Sequence, residues 1–185
     1  MNEPRTKGTH ILHTVKILRS SREIAFQLLP PELHHYLTDR ILPSSWYPSS
    51  DHLGLLRAVA KLVPKGVDPW IMMGRGSARM DLEGAYKQHF RPKDPETTLR
   101  VLAAVWRSTH DSGRFAITFD TPRSATCTLL EYASKTDEIC RITTGYMLES
   151  LQFAGAILPE VEHVSCVACR AQQCQWRAKW IGVAV

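Results

Sequence analysis

The chain has 185 residues, 44% of them hydrophobic and 22% charged, and a formal net charge of +5 at pH 7. That balance suits one globular domain with a full core; no stretch approaches the roughly 18 unbroken apolar residues of a membrane span, and the basic residues are scattered instead of forming a run that tracks a phosphate backbone, so neither a membrane nor a nucleic-acid partner is expected. The polar start MNEPRTKGTH lacks the apolar core of a secretory signal, so a cytoplasmic protein is expected, with its five cysteines serving as thiols or metal ligands and not as disulfides.

In chain order, the β-branched stretch 10-HILHTVKIL-18 predicts a strand. Ser20 and Glu23 form a capping box that opens a helix over Arg22 to Leu29; Pro30 and Pro31 end it, and Pro31 starts a second helix from Glu32 to Ile41. The stretch 42-LPSSWYPSSD-51 reads as a loop, with Ser50 capping a helix through Val63. Asp68 and Pro69 then begin a longer helix reaching about Phe90, whose small residues Gly74, Ser77 and Ala78 invite close packing by another element. Asp94, Pro95 and Glu96 open the next helix, which carries Leu99, Leu102, Ala103, Trp106 and His110 on one face.

Beyond Gly113 the period changes from helix to strand. Phe115, Ile117 and Phe119 alternate with Arg114, Ala116 and Thr118 over 114–120, and a turn at Thr121 and Pro122 leads to a partner strand from Ala125 to Glu131. A helix from Asp137 to Phe153, capped by Thr136, places Cys140, Thr143, Met147, Leu151 and Ala154 on one stripe. Strands follow at Ile157 to Cys166 and Cys174 to Trp180. Hairpin, helix, hairpin makes an α+β fold: an antiparallel sheet over 114–180 with the N-terminal elements of 10–110 packed on it, in a single domain spanning 1–185.

The chemistry concentrates in 163-HVSCVACRAQQCQWRAKW-180. Cys166 ends one strand and Cys174 begins the next, so the hairpin brings these sulfurs together while the first turn of the preceding helix delivers Cys140. Zinc takes four such ligands tetrahedrally. The fourth is His163 or, through the CxxC pair that it forms with Cys166, Cys169. Four protein ligands make a structural site, since a catalytic zinc keeps a position open. Buried cysteine is also a common small hydrophobe, so plain packing is the competing reading, and thiol redox chemistry at Cys166 and Cys169 is a third.

Trp46-Tyr47-Pro48, the segment 106-WRSTHDSGR-114, the helix 140-CRITTGYMLESLQFAGA-156 and the closing Cys166 to Cys174 hairpin together resemble a myxobacterial paralogous family of about this length. That family is similar to the 4-vinyl reductase domain, within the superfamily that includes the haem-dependent nitric-oxide sensors and the TRAPP vesicle-tethering subunits. Related phenol-sensing domains hold zinc through three cysteines and a glutamate, and those positions fall here on Cys140, Cys166 and Cys174, with His163 at the glutamate position. The chain departs from the family in the turn between the last two cysteines, where Arg170 and Ala171 replace a glycine and an acidic residue.

The resemblance implies a small-molecule-binding sensory or regulatory domain and no enzyme. Its apolar ligand would lie among Trp106, His110, Phe115, Ile117, Phe119, Tyr132 and Tyr146. Haem is the weaker cofactor reading, because none of His52, His89 and His110 sits in a pattern that singles out an axial ligand. The sequence carries no DNA-binding or ATPase motif, so a signal would pass by self-association as a homodimer or to a separate signalling protein. A non-catalytic adaptor of TRAPP-like fold is the alternative.

Overall fold

The computed structural model describes residues 3–84, 86–89, 91–133 and 136–184. The chain divides into two compact units, one of residues 1–67 with 108–112, the other of 68–107 with 113–185. Among the described residues no helix is long and apolar enough to cross a membrane.

In the first unit, β1 (Arg5–Lys7) pairs antiparallel with β2 (Trp46–Pro48), and the Lys7 ammonium lies 4.3 Å from the Trp46 ring centre. Strand β2 falls inside the predicted loop. The predicted strand over residues 10–18 is instead helix α1 (Gly8–Ser20). Ile11, Val15 and Leu18 are buried at i, i+4 and i+7, a helical period that outweighs the β-branched preference of the individual residues. Helix α2 (Arg22–Leu28) follows as expected, but without the capping box: Ser20 Oγ donates back to the Ile17 carbonyl at 2.7 Å, and Ser21 occupies the cap position. The Pro31 helix is a 3₁₀ segment ending at Leu37, four residues short of Ile41. Helix α3 (Ser49–Ala60) packs against α1 and starts at Ser49, one residue before the expected Ser50 cap.

The second unit opens with α4 (Pro69–Glu83), and here the Asp-Pro reading is met atom for atom. Asp68 Oδ1 accepts from the backbone N–H groups of Trp70 at 3.0 Å and Ile71 at 3.2 Å. Its other oxygen accepts from Arg141 Nε at 3.2 Å, so one carboxylate caps α4 and ties it to the helix that packs on it. The helix stops at Glu83, seven residues before the predicted end at Phe90, which lies outside the described residues. Asp94 Oδ1 accepts from Thr97 N–H at 2.9 Å and opens α5 (Pro95–Thr109). That helix ends one residue before His110, so His110 leaves the helical face assigned to it.

Strands β3 (Arg114–Thr121) and β4 (Ser124–Leu130) form the first hairpin, and α6 (Asp137–Phe153) follows with the predicted boundaries. The single strand expected over 157–166 is broken in two. Ala156–Ile157 (β5) and Glu160–Ser165 (β6) are separated at Leu158, whose φ of 47° takes the chain out of the ladder before Pro159. Strand β7 (Cys174–Lys179) completes an antiparallel sheet in the order β3-β4-β7-β6, while β8 (Gly182–Val183) pairs with β5. One face of the sheet buries Phe115, Ala125, Cys127, Leu129, Trp176 and Ala178 with Met147 and Leu151 of α6, and each fully buried large apolar side chain contributes about 1.5–3 kcal/mol.

Helices α4 and α6 meet backbone to backbone. A Cβ placed on Gly74 would lie 2.0 Å from the Ile142 carbonyl oxygen, and one on Gly145 would lie 2.2 Å from the Ile71 carbonyl oxygen. The crossing is therefore closed to any side chain at both points. Gly76, two residues along α4, would meet nothing within 4 Å. Gly74→Ala and Gly145→Ala are each expected to destabilise the chain by at least ~1–3 kcal/mol through overpacking, whereas Gly76→Ala stabilises it by up to ~1 kcal/mol through helix propensity. Urea unfolding of the three variants checks the opposed signs.

Candidate metal centre

Four side chains from three elements converge beneath the end of the sheet. Cys140 lies in the first turn of α6, His163 on β6, Cys166 just after β6, and Cys174 at the start of β7; their ligand atoms all lie within 4.8 Å of one another. Cys140 Sγ is 3.3 Å from Cys174 Sγ and 3.9 Å from Cys166 Sγ, which brackets the ~3.8 Å between two thiolates sharing a tetrahedral ion at ~2.3 Å. All three cysteines are buried. His163 Nε2 is also buried and has no partner at hydrogen-bond geometry, although its ring faces Cys174 closely enough to help lower that thiol's pKa. A buried nitrogen without a partner costs about 1–3 kcal/mol, and a metal ion is the partner that this donor set fits.

A register shift builds the site. His163 pairs with Trp176, but Ser165 pairs with Gln175, so Val164 is an extra residue bulged outward at 36% exposure. Strict alternation would set Cys166 opposite Gln173 and on the other face from His163. With the bulge, Cys166 comes level with Cys174, and His163 and Cys166 share the inner face.

The thiols share their protons unequally. Cys174 Sγ accepts from the Cys140 thiol and, at 3.3 Å, from the Val167 N–H, which holds its pKa well below the ordinary thiol range despite burial. Cys140, as the donor in that contact and buried beside two other sulfurs, is pushed far up. Burial raises Cys166, opposed by the N–H groups of Ala168 and Cys169. Cys174 is thus the most readily ionised of the three thiols, and a bound cation would release the remaining protons. Cys169, the rival fourth ligand, is exposed on the 3₁₀ turn Val167–Cys169 and is not among the four converging residues. Arg170 takes the left-handed conformation at φ 67° and ψ 15°. Its turn closes through the Cys169 and Ala171 N–H groups on the Cys166 carbonyl, each at 3.0 Å.

Two further residues hold the site and were not picked out as site residues by sequence reasoning. The Trp176 ring stacks on the His163 imidazole, centres 4.8 Å apart and planes 20° apart. Its Nε1–H donates to Thr144 Oγ1 at 2.9 Å, and that hydroxyl donates to the Cys140 carbonyl at 3.0 Å. The plate supporting one candidate ligand is therefore anchored to the helical turn that carries another. Thr144 sits four residues after Cys140, and Trp176 sits two after Cys174 on the inward face; those spacings were the available signal.

The candidate pocket residues fall in different places. Trp106 meets Phe115 edge-on at 5.1 Å and Tyr132 at 5.0 Å, and Phe115 lies 5.7 Å from Trp176, so three of the seven pack ring against ring. Ile117 and Phe119 are half-buried against the same core, with the Arg100 guanidinium 4.6 Å over the Phe119 ring. Tyr146 is buried and donates to Asp81 Oδ2 at 3.0 Å; burial pushes the Asp81 carboxyl up to about 6, opposed by that hydroxyl. His110 belongs to the first unit, where it bridges Thr6 and meets the His10 ring at 5.6 Å. His10 lies 6.3 Å from His52, which is buried with Nε2 3.2 Å from Thr14 Oγ1.

Among solved structures the chain is similar to an oxygen-binding H-NOX domain related to soluble guanylate cyclases (14% identity, TM-score 0.69, covering 97% of both chains). It is likewise similar to the Fe(II) unliganded H-NOX protein from K. algicida (13%, 0.68, covering 97% of this chain and 98% of that one) and to a mutant H-NOX from T. tengcongensis (16%, 0.62, covering 97% and 100%). At these identities the likeness establishes a shared fold, the α+β class expected from the sequence. No family model and no curated protein matches the chain.

Another similar structure is described as probing the function of haem distortion in the H-NOX family. A porphyrin needs an axial ligand aimed into an apolar cavity. Four donors within 4.8 Å of one another surround a single ion and leave no room for a macrocycle. In the second unit the Trp106, Phe115 and Trp176 rings meet in series, and in the first the His10 imidazole meets those of His52 and His110.

The two units titrate with opposite sign. Burial lowers His52 to about 3 and His10 to about 4, below their unfolded value near 6.5, so as pH falls through 6.5 the unfolded chain takes up protons that the folded one refuses. The first unit therefore loses stability between pH 6.5 and about 4, by up to ~1.4 kcal/mol per pH unit for each imidazole. Asp81, raised above its unfolded value, favours the second unit as pH falls below 6. Hydrogen exchange at pH 7 and pH 5, corrected for intrinsic rates, is expected to show protection lost in α1 and α3 and retained where α4 meets α6.

Proposed function

We propose that this chain is a non-catalytic sensory or regulatory domain that binds a hydrophobic or aromatic small molecule and is clamped by a structural zinc ion in place of haem. The observation that carries the metal is the convergence of three buried sulfurs on a buried imidazole nitrogen with no hydrogen-bond partner. Cys140, His163, Cys166 and Cys174 would hold the ion, which supplies folding energy by joining the last hairpin to α6. Three thiolates and a neutral imidazole around Zn²⁺ leave one net negative charge, which the N–H groups of Val167 and Ala168 are placed to stabilise. All four positions are filled by protein, so the site has no place for a substrate.

The ligand-binding part of the reading rests on the shared fold with gas-binding and haem-carrying H-NOX domains, together with the likeness of the C-terminal motif to the 4-vinyl reductase domain. A signal would pass through a homodimer or to a separate partner protein. The packed rings of Trp106, Phe115, Tyr132 and Trp176 favour a second reading, an adaptor with a filled core, and discovery of a retained ligand in native mass spectrometry counts against it. Redox chemistry through Cys166 and Cys169 draws no support from an arrangement in which one thiol is buried among ligands and the other is exposed.

Elemental analysis of protein purified without chelator is expected to give about one zinc per chain. Cys174→Ser removes it and lowers the thermal midpoint, while Cys169→Ser leaves both unchanged. Protein that holds no zinc and takes none up from micromolar zinc retires the clamp. In the same preparations, added haemin is expected to give no Soret band that survives desalting.

A further inference from the structure

At the other end of the sheet from the sulfurs, three turns enclose an open cleft of about 430 Å³. The β3–β4 turn supplies Arg123, the β5–β6 link supplies Leu158 and Glu160, and the end of β7 supplies Lys179, Trp180 and Ile181. Its volume lies within the ~300–1,000 Å³ of small-molecule sites. None of these residues belongs to the metal centre or to the aromatic core assigned above to a ligand.

The lining combines two chemistries. Leu158 is 70% exposed and Ile181 59% exposed, next in the chain to the part-exposed Ile157 and near Val183, with Trp180 buried. A leucine held at φ 47° with its side chain in water is unfavourable twice over, and such a conformation is commonly retained where it serves binding. The rest of the lining adds cations. Arg123 Nη1 donates to the Ile181 carbonyl at 2.9 Å, and the Arg123 carbonyl accepts from Trp180 N–H at 3.0 Å, so the guanidinium is anchored at the mouth. A guanidinium has five N–H donors, and its Nε–Nη2 edge matches a carboxylate with two parallel bonds. Lys179 faces Glu160 across the β6–β7 ladder, so two cations stand against one carboxylate and the cleft carries one net positive charge.

We propose that this cleft binds an amphipathic monoanion, an acyl or aryl carboxylate whose head meets Arg123 and whose apolar body covers Leu158, Trp180 and Ile181. The proposal rests on the small-molecule reading above and names a ligand class and a place for it. Apolar area and one unmatched positive charge lie within a single volume, so a neutral hydrophobe would leave the charge unpaired and an alkyl cation would be repelled.

Calorimetric titration with decanoate below its micelle concentration, and with trans-cinnamate, tests it; decanol and decyltrimethylammonium serve as controls. Binding of at least one carboxylate is expected, with the controls weaker by about tenfold or more. Arg123→Gln and Leu158→Asp are each expected to weaken that binding by a similar factor at unchanged zinc content and circular dichroism, since both side chains are exposed. Carboxylate binding that survives both substitutions but is lost in Trp106→Leu overturns the cleft and leaves the small-molecule reading in place. Failure of both carboxylates to bind at millimolar concentration overturns the cleft as well, and the metal clamp is judged separately by its zinc.

Discussion

Helix α6 is held between two surfaces that make incompatible demands on its side chains. Toward α4 it must present none at Gly145, because carbonyl oxygens lie where a Cβ would be. Toward the sheet it presents Cys140, Thr144, Met147 and Leu151, all buried. A helix can satisfy both because its residues turn through about 100° each, so a bare stripe and a filled stripe run side by side along the same 17 residues. The tight contact removes the freedom to slide or roll, and Asp68 adds a lock by capping one helix while bonding Arg141 of the other. Everything at the sulfur cluster inherits its position from this contact, since Cys140 and the Thr144 hydroxyl that anchors Trp176 both ride on α6.

Much of this was legible in the chain itself, and the failures share one cause. Asp68-Pro69 and Asp94-Pro95 are local devices: a short carboxylate and a ring that fixes φ act over three residues, so reading them needs no tertiary knowledge. Strands β4 and β7 show clean period-two burial, and β3, β4 and β7 were all placed to within a residue. Residues 10–18 went wrong because isoleucine, valine and threonine argued by type for a strand while Ile11, Val15 and Leu18 argued by spacing for a helix, and only packing against α3 decides between them. The capping box at Ser20 failed similarly, since α1 continues through that residue. At the candidate centre the residue types and the hairpin were readable from sequence. The outward bulge at Val164 was not, because a register shift is a property of two strands and is written in neither alone.

The shared fold and this chain's own chemistry separate cleanly. H-NOX domains and this chain agree over nearly their whole lengths in the path of the backbone, yet at 13–16% identity few side chains are held in common. Sites are grafted on folds. Here Cys140, His163, Cys166 and Cys174 of the second unit gather in a knot a few ångströms across between the last hairpin and α6, a geometry that could hold a single small ion. The Trp106 ring meets Phe115 and Tyr132, Phe115 meets Trp176, and the open volume described for the second unit lies at the far end of the sheet.

The bulge in β6 also says what this region of the chain can tolerate over evolutionary time. Side chains on a strand alternate, so the facing of every residue beyond a given point depends on whether the count up to that point is odd or even. Val164 contributes a count and, being half-exposed, little packing. Many residue types can replace it, but deleting it would turn Cys166 away from Cys140 and Cys174 without altering any of the four converging side chains. For 163–166 the conserved quantity is the number of residues, and a family descended from this chain should vary freely at 164 in identity while keeping its length.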